Sequence, residues 1–421
     1  MEPLKLSQQA EAIATSPILI IAAEINRRIR QGDRVFNLTV GDFDPRIFPI
    51  PERLTELVFD AYRQHETNYP GAFGVDNLRS AIGAMLKRRC GIDVTLGEIQ
   101  VACGSRPLIY SFFKTVVDAG DKVVYPTPSW NNDFYTQLHD ARAVEVETSA
   151  SNNFFPSADD LRPHLGDAAL LSLCSPQNPT GTLLERQQLQ DICELVVEEN
   201  RRREPASKPL YVMFDQVYWM LTFGQYEFHH PLAVCPAIRP YAVFIDGVSK
   251  SLAGTGVRVG WANGPEHIMA PMRAFIAHIG AWAPRPEQIA VGRFLDEAQH
   301  LEGFLDGFRG QLQSRLNGFY EGFRALREKG FDVDAIEPQA AIYLSVKLNL
   351  KGKKTPDGTV LQDDEAVHRF LLDEAGIGLL PFSWFGARQH SNWYRLSVGV
   401  CDAGMVSKVL KALEDALISL E

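Results

Sequence analysis

The sequence predicts an α/β protein: a mostly parallel sheet with helices on both faces, followed by a smaller α+β unit. Two observations carry this. Between positions 78 and 246, short apolar runs of strand type alternate with longer amphipathic stretches, the pattern of parallel strands connected through helices. From about Glu287 to Lys329 the helical signal is almost unbroken, and a mixed set of short strands and helices follows it. At 421 residues and 45% hydrophobic content, the chain exceeds one typical domain and can bury a large core.

Taken in order, Leu78 to Arg89 has the spacing of an amphipathic helix, Ile99-Gln100-Val101-Ala102 reads as a short strand, and Leu108 to Val117 as the next helix. Lys122-Val123-Val124-Tyr125 is a β-branched and aromatic run, hence a strand. Strands are expected again at 170–174, 210–214 and 243–246, with a helix from Leu184 to Asn200 between the first two. The stretch from Glu287 to Lys329 is too long for an ordinary globular helix and reads as a helix pair or one bent connector. Beyond it come the strand Ile342-Tyr343-Leu344-Ser345-Val346, a polar loop from Lys351 to Asp364, and a helix from Glu365 to Glu374. A strand around Ile377 to Leu380 and a final helix after Asp402 complete the unit.

A formal net charge of -10 without a dense Lys/Arg stripe argues against nucleic-acid binding. The one basic triplet, Arg201-Arg202-Arg203, is flanked by Glu198, Glu199 and Glu204 and reads as a solvated helix end. Six scattered cysteines form no C-x-x-C pair, and no histidine cluster has ligand spacing, so neither a metal site nor a disulfide framework is expected. A reducing, cytoplasmic setting follows. The N-terminal stretch lacks the features of a signal sequence, and its most apolar run, Ile18 to Ala23, is too short to span a bilayer.

Several polar residues stand where apolar strands end. Val243-Phe244-Ile245-Asp246 delivers Lys250 into the turn Ser249-Lys250-Ser251-Leu252-Ala253-Gly254-Thr255-Gly256, with Arg258 eight positions on. An ammonium beside apolar strand residues tends to lose its proton, and a neutral amine is a nucleophile. Glycines near Arg258 let backbone approach a phosphate closely. The plainer reading is a solvent-facing lysine and a surface arginine. Leu210-Tyr211-Val212-Met213-Phe214 ends in Asp215, a carboxylate at the crevice edge of the sheet that needs a cationic partner. The strand at 170–174 runs into Ser175-Pro176-Gln177-Asn178-Pro179-Thr180-Gly181, where Asn178 alone could be an ordinary turn residue. Gly104-Ser105-Arg106 follows a strand and opens a helix, which aims unpaired N–H groups at an anion. Arg395, in the strand-like run Trp393-Tyr394-Arg395-Leu396-Ser397, needs an anion if buried, and its planar fork suits a carboxylate.

Together and in this order, Asn178-Pro179-Thr180-Gly181, Asp215-x-x-Tyr218, Ser249-Lys250 and Arg258 resemble the fold-type-I pyridoxal-phosphate enzymes, specifically the class I/II, aspartate aminotransferase-like aminotransferases. The resemblance runs from Val40-Gly41 to Tyr394-Arg395-Leu396-Ser397, nearly the whole chain. It implies a homodimer with shared active sites acting on an amino acid and a 2-oxo acid. It also implies a discontinuous small domain, with residues 1–48 its N-terminal part, 49–305 the large cofactor domain and 306–421 the C-terminal part.

By the same resemblance, Lys250 is the covalent anchor of pyridoxal 5'-phosphate and the proton carrier at Cα, and Asp215 is the partner of the ring nitrogen. Asn178 and Tyr218 face the ring oxygen, and Trp130 stacks on the ring. Gly104, Ser105, Arg106, Ser249 and Arg258 surround the phosphate, joined by Tyr69 of the neighbouring subunit. Arg395, with Asn178, takes the substrate α-carboxylate, and Gly41 leaves room for substrate.

The chain departs from the family pattern in places. Gly247 stands where many relatives carry a hydroxyl, Gln216 where an acid often follows the aspartate, and Phe382-Ser383-Trp384-Phe385-Gly386 is bulkier than the usual small-residue turn. The segment Ile276 to Pro284, matching the one from which the partner chain of aspartate-type relatives supplies a substrate arginine, contains none, although Arg273 and Arg285 flank it. Trp282, Tyr343, Phe382, Trp384 and Phe385 are expected around the pocket. A neutral, aromatic or large aliphatic donor is therefore expected. A carbon-sulfur lyase or other β-eliminating enzyme on the same fold is the alternative. A transcription regulator carrying such a domain is disfavoured, because only 40 residues precede Gly41.

Overall fold

The computed structural model describes residues 5–13, 15–388 and 391–421, so the first four residues of the N-terminal segment lie outside it. Helices Gln8–Ala12 and Pro17–Gln31 precede a two-residue strand, β1 (Phe36–Asn37), and helices Glu52–Arg63 and Asp76–Cys90 follow. Seven strands then form the large sheet: β2 (Ile99–Ala102), β3 (Lys122–Thr127), β4 (Arg142–Glu147), β5 (Ala168–Cys174), β6 (Tyr211–Asp215), β7 (Ala242–Gly247) and β8 (Gly260–Asn263). Their order is β2-β8-β7-β6-β5-β3-β4, and only β8 runs antiparallel to its neighbours. The predicted mostly parallel sheet is therefore present.

Strands β5 and β7 are buried almost throughout, which explains their continuous apolar runs rather than alternation. One face packs Leu171, Phe214 and Phe244 against helices Ala158–Leu165 and Arg186–Arg202. The other packs Met213, Val243 and Ile245 against helices Ser105–Val116 and Glu266–His278. Strand β4 escaped the sequence reading because, as an edge strand, it is mostly exposed and charged.

The long helical stretch resolves into Arg285–Asp296 and Ala298–Glu328, broken at Glu297. Arg53 holds that break bidentately, Nε donating to Glu297 Oε2 at 2.8 Å and Nη2 to Oε1 at 2.7 Å. The C-terminal unit contains β9 (Val333–Ala335), β10 (Tyr343–Leu348), β11 (Ile377–Gly378), β12 (Leu380–Pro381) and β13 (Trp393–Ser397), with helices Asp364–Glu374 and Met405–Ile418. Its four-stranded sheet has the order β12-β13-β10-β9. The N-terminal segment joins this unit: β1 pairs in parallel with β11, and Glu24 and Arg28 of helix Pro17–Gln31 pair with Arg369 and Asp373.

Candidate active site

The C-terminal ends of β5, β6 and β7 open into a cleft of about 610 Å³, closed on its far side by β10 and β13 and at its mouth by helix Pro17–Gln31. Lys250 enters from the short helix Val248–Ser251 directly after β7. Its Nζ donates to the Gly41 carbonyl, and burial draws its pKa down to about 8. An amine so placed is partly neutral near physiological pH and competent as a nucleophile and base. Gly247 is required by packing: a Cβ there would lie 2.9 Å from the Val259 carbonyl oxygen and 3.0 Å from Gly260 Cα. That contact accounts for the absent hydroxyl.

Asp215 ends β6, and among the described residues its Oδ1 accepts only the Val217 N–H, at 3.1 Å. Burial pushes its pKa up to about 6, and no ion-pair partner stands beside it among the described residues. A carboxylate stranded in this way fits a protonated ring nitrogen.

Arg395, on β13, is buried and held on all sides. Nη1 donates to Asn178 Oδ1 at 2.8 Å and Nη2 to the Thr39 carbonyl at 2.5 Å. The guanidinium lies between the rings of Tyr343, at 4.5 Å, and Phe385, at 5.0 Å, while its Nε has no hydrogen-bond partner among the described residues. A buried cation without a carboxylate from its own chain is prepared for one from a ligand. The Asn178 turn is locked to β10 through Gly181, at φ +73°; a Cβ there would fall 2.9 Å from the Tyr343 carbonyl carbon and nearer still to its oxygen.

Helix Ser105–Val116 begins at the cleft with no side-chain cap on its first turn. Arg258, at φ +60°, lies across Gly104, donating to the Cys103 carbonyl at 2.9 Å and the Thr255 carbonyl at 2.7 Å; any Cβ on Gly104 would collide with its guanidinium. Ser105, Ser249 and Thr255 line the same end. Uncapped N–H groups, hydroxyls and a guanidinium together fit a phosphate. Trp130 lines the cleft after β3, with the Arg106 guanidinium 5.6 Å from its ring. The site residues that the sequence suggested thus converge on one cleft, with Gly104 just behind it. Tyr69 is the exception, 82% exposed and edge-on to Trp282.

One expectation is corrected. Of the four aromatics expected at the pocket from the same chain, only Tyr343 lines it among the described residues; Phe382 packs on Phe154 and Trp384 on His368, while Phe385 sits beneath Arg395. The bulky turn was absorbed by the core around β12 and β13. Gly41 lines the cleft, and a Cβ there would lie 2.8 Å from the Tyr343 hydroxyl. The flanking arginines are both engaged, Arg285 with Glu66 at 2.8 Å and Arg273 against the Phe73 ring. Several lining residues went unread in the sequence. Thr39 acts through its carbonyl, which leaves no residue signature, whereas Asp42 and Thr255, hydrogen-bonded at 2.6 Å, lay inside stretches already singled out. Ser172 donates to Asn132 at 2.7 Å on the cleft floor, and Ile18 and Leu19 reach the mouth.

The profile of the family "Aminotransferase class I and II" matches residues 33–413. The aspartate aminotransferase of Bacillus sp. (strain YM-2) is 27% identical over 91% of this chain and 92% of its own. A probable aspartate/prephenate aminotransferase of Rickettsia bellii is 27% identical over 99% and 98%. The solved structure of the Thermus thermophilus aspartate aminotransferase with maleate superposes with a TM-score of 0.86, at 25% identity, over 98% of this chain and all of that one. That of the Rhizobium meliloti aspartate aminotransferase has the same fold, at a TM-score of 0.90 and 24% identity over both whole chains. A family match running from residue 33 to 413 and a superposition over nearly the whole chain place it among the class I and II aminotransferases, pyridoxal-phosphate-dependent transaminases of fold type I.

Proposed function

We propose that the protein moves an amino group between an L-amino acid and a 2-oxo acid in this cleft, with roles for its residues as follows. The observation that carries the reading is Lys250, its pKa drawn down, between the Asp215 carboxylate and the Arg395–Asn178 pair. Arg258, Ser105, Ser249 and the backbone at Gly104 hold the cofactor phosphate. Asp215 keeps a proton on the ring nitrogen, Asn178 and Tyr218 face the ring oxygen, and Trp130 covers the ring. Pyridoxal phosphate, when bound, supplies a sink for the electron pair left on Cα. Arg395 and Asn178 grip the α-carboxylate and so fix which Cα substituent faces Lys250. The Lys250 amine removes the Cα proton and returns it on the cofactor side.

For the donor, the apolar side chains of Ile18 and Leu19 at the mouth and the Asp42 carboxylate on the wall support a neutral, large side chain. One observation favours a dicarboxylic donor instead: Arg106 lines the cleft with no ion-pair partner among the described residues, and the relatives above are named for aspartate. A homodimer with Tyr69 reaching the neighbouring site fits the exposure of Tyr69, Phe59, Tyr62 and Ile279. The pairing of β1 with β11 supports a discontinuous small domain of 1–48 with 306–421, and 49–305 as the large one.

Single-turnover reaction with an amino-acid panel tests the proposal. Transfer gives one 2-oxo acid per site and leaves the cofactor in its amine form, whereas pyruvate with ammonia from β-substituted donors would establish the lyase alternative. Within that panel, kcat/KM for phenylalanine, leucine or methionine is expected to exceed that for aspartate. A tenfold preference for aspartate that Arg106→Gln abolishes would instead establish the dicarboxylic reading.

A further inference from the structure

In the cleft wall lies a pair of phenols that the mechanism leaves half used. Tyr343 and Tyr218 are both buried, and their hydroxyl oxygens are 2.7 Å apart. Tyr218 lines the cleft floor. Tyr343 stands between it and Arg395, whose guanidinium lies 4.5 Å from the Tyr343 ring centre. The hydroxyl also occupies the space left by Gly41, where a methyl group would come within 2.8 Å of it. One strand and two loops distant in sequence are thus shaped around one oxygen.

We propose that Tyr343 is a positioning residue that donates its hydroxyl proton to Tyr218 and so holds the Tyr218 O–H toward the cofactor ring oxygen, tying that contact to the carboxylate grip at Arg395. The direction of donation follows from the neighbours. Tyr218 is the only side-chain hydrogen-bond partner of the Tyr343 hydroxyl among the described residues. The Arg395 cation over the Tyr343 ring makes that phenol the better donor of the two. Burial raises the pKa of both phenols, so each keeps its proton at neutral pH; with one proton between the oxygens, the Tyr218 proton is left for the cleft. A hydroxyl that accepts a hydrogen bond becomes a stronger donor. The charged or titratable groups facing the pair are Arg395 from β13, Cys174 from β5, Asp42 from the segment after β1, and Lys250, whose Nζ is 5.8 Å from the Tyr218 ring centre.

The inference rests on the reading that Tyr218 faces the ring oxygen, and its test separates the two. Donation to that oxygen favours the form of the lysine-bound cofactor with more negative charge on the ring, the deprotonated one. The absorbance of the cofactor-loaded protein is titrated with pH for the wild type, Tyr218→Phe, Tyr343→Phe and the double variant. Both single variants are expected to raise the spectral midpoint, Tyr343→Phe by roughly half a unit and Tyr218→Phe by more, with the double variant equal to Tyr218→Phe. A shift in Tyr218→Phe with none in Tyr343→Phe, or additive shifts, overturns the relay and leaves the Tyr218 reading standing. No shift in either removes both. Should Tyr343→Phe fail to fold, Gly41→Ala displaces the same hydroxyl, and an unchanged midpoint there also overturns the inference.

Discussion

Asp215→Asn is expected to stabilise the cofactor-free protein while crippling its chemistry, and only above a definite pH. In the empty cleft, burial raises the Asp215 pKa from the ordinary 3.8 to about 6. The folded state therefore holds a proton that the unfolded chain has released between those values, and stability falls as pH rises through that window. Roughly two units correspond to about 3 kcal/mol, a ceiling because the side chain is partly open to the cleft. Asparagine removes the penalty. Unfolding entropy of ~2.1 cal/mol/K per residue makes that stabilisation a rise of about 3 °C in Tm. The assay is thermal unfolding of cofactor-free wild type and Asp215→Asn at pH 4 and pH 7.5. The variant should match the wild type at pH 4 and unfold later at pH 7.5. Equal differences at both pH values, or a less stable variant at pH 7.5, would refute the reasoning.

Two further outcomes follow from the geometry. Lys250→Ala should bind the cofactor through its phosphate without covalent retention, so borohydride reduction and peptide mass analysis should find no adduct; an adduct at another lysine would move the anchor. Gly181→Ala should destabilise the protein by more than the ~1–2 kcal/mol of left-handed strain alone, because the new methyl meets the Tyr343 carbonyl; a wild-type denaturation midpoint would contradict the tight docking of the Asn178 turn on β10.

The sequence alone singled out Lys250, Asp215 and Asn178 and the strands that deliver them to one cleft. Lys250, Asp215 and Asn178 each follow an apolar run long enough to be a buried strand, and a polar residue at such a strand end has few structural reasons to be there. The order of these segments carried the family, and with it the cofactor. The tertiary structure decided the rest of the cleft. Tyr343 meets Tyr218 across 125 positions, and the Thr39 carbonyl meets Arg395 across 356. No periodicity encodes such contacts, and a backbone carbonyl belongs to every residue type alike. Which aromatic residues reach the donor pocket was also left to the tertiary structure. Aromatic residues near a site in sequence serve the core as readily as a ligand, and only packing showed that Phe382 and Trp384 turn away from the cleft while Arg106 and the N-terminal Ile18 face it.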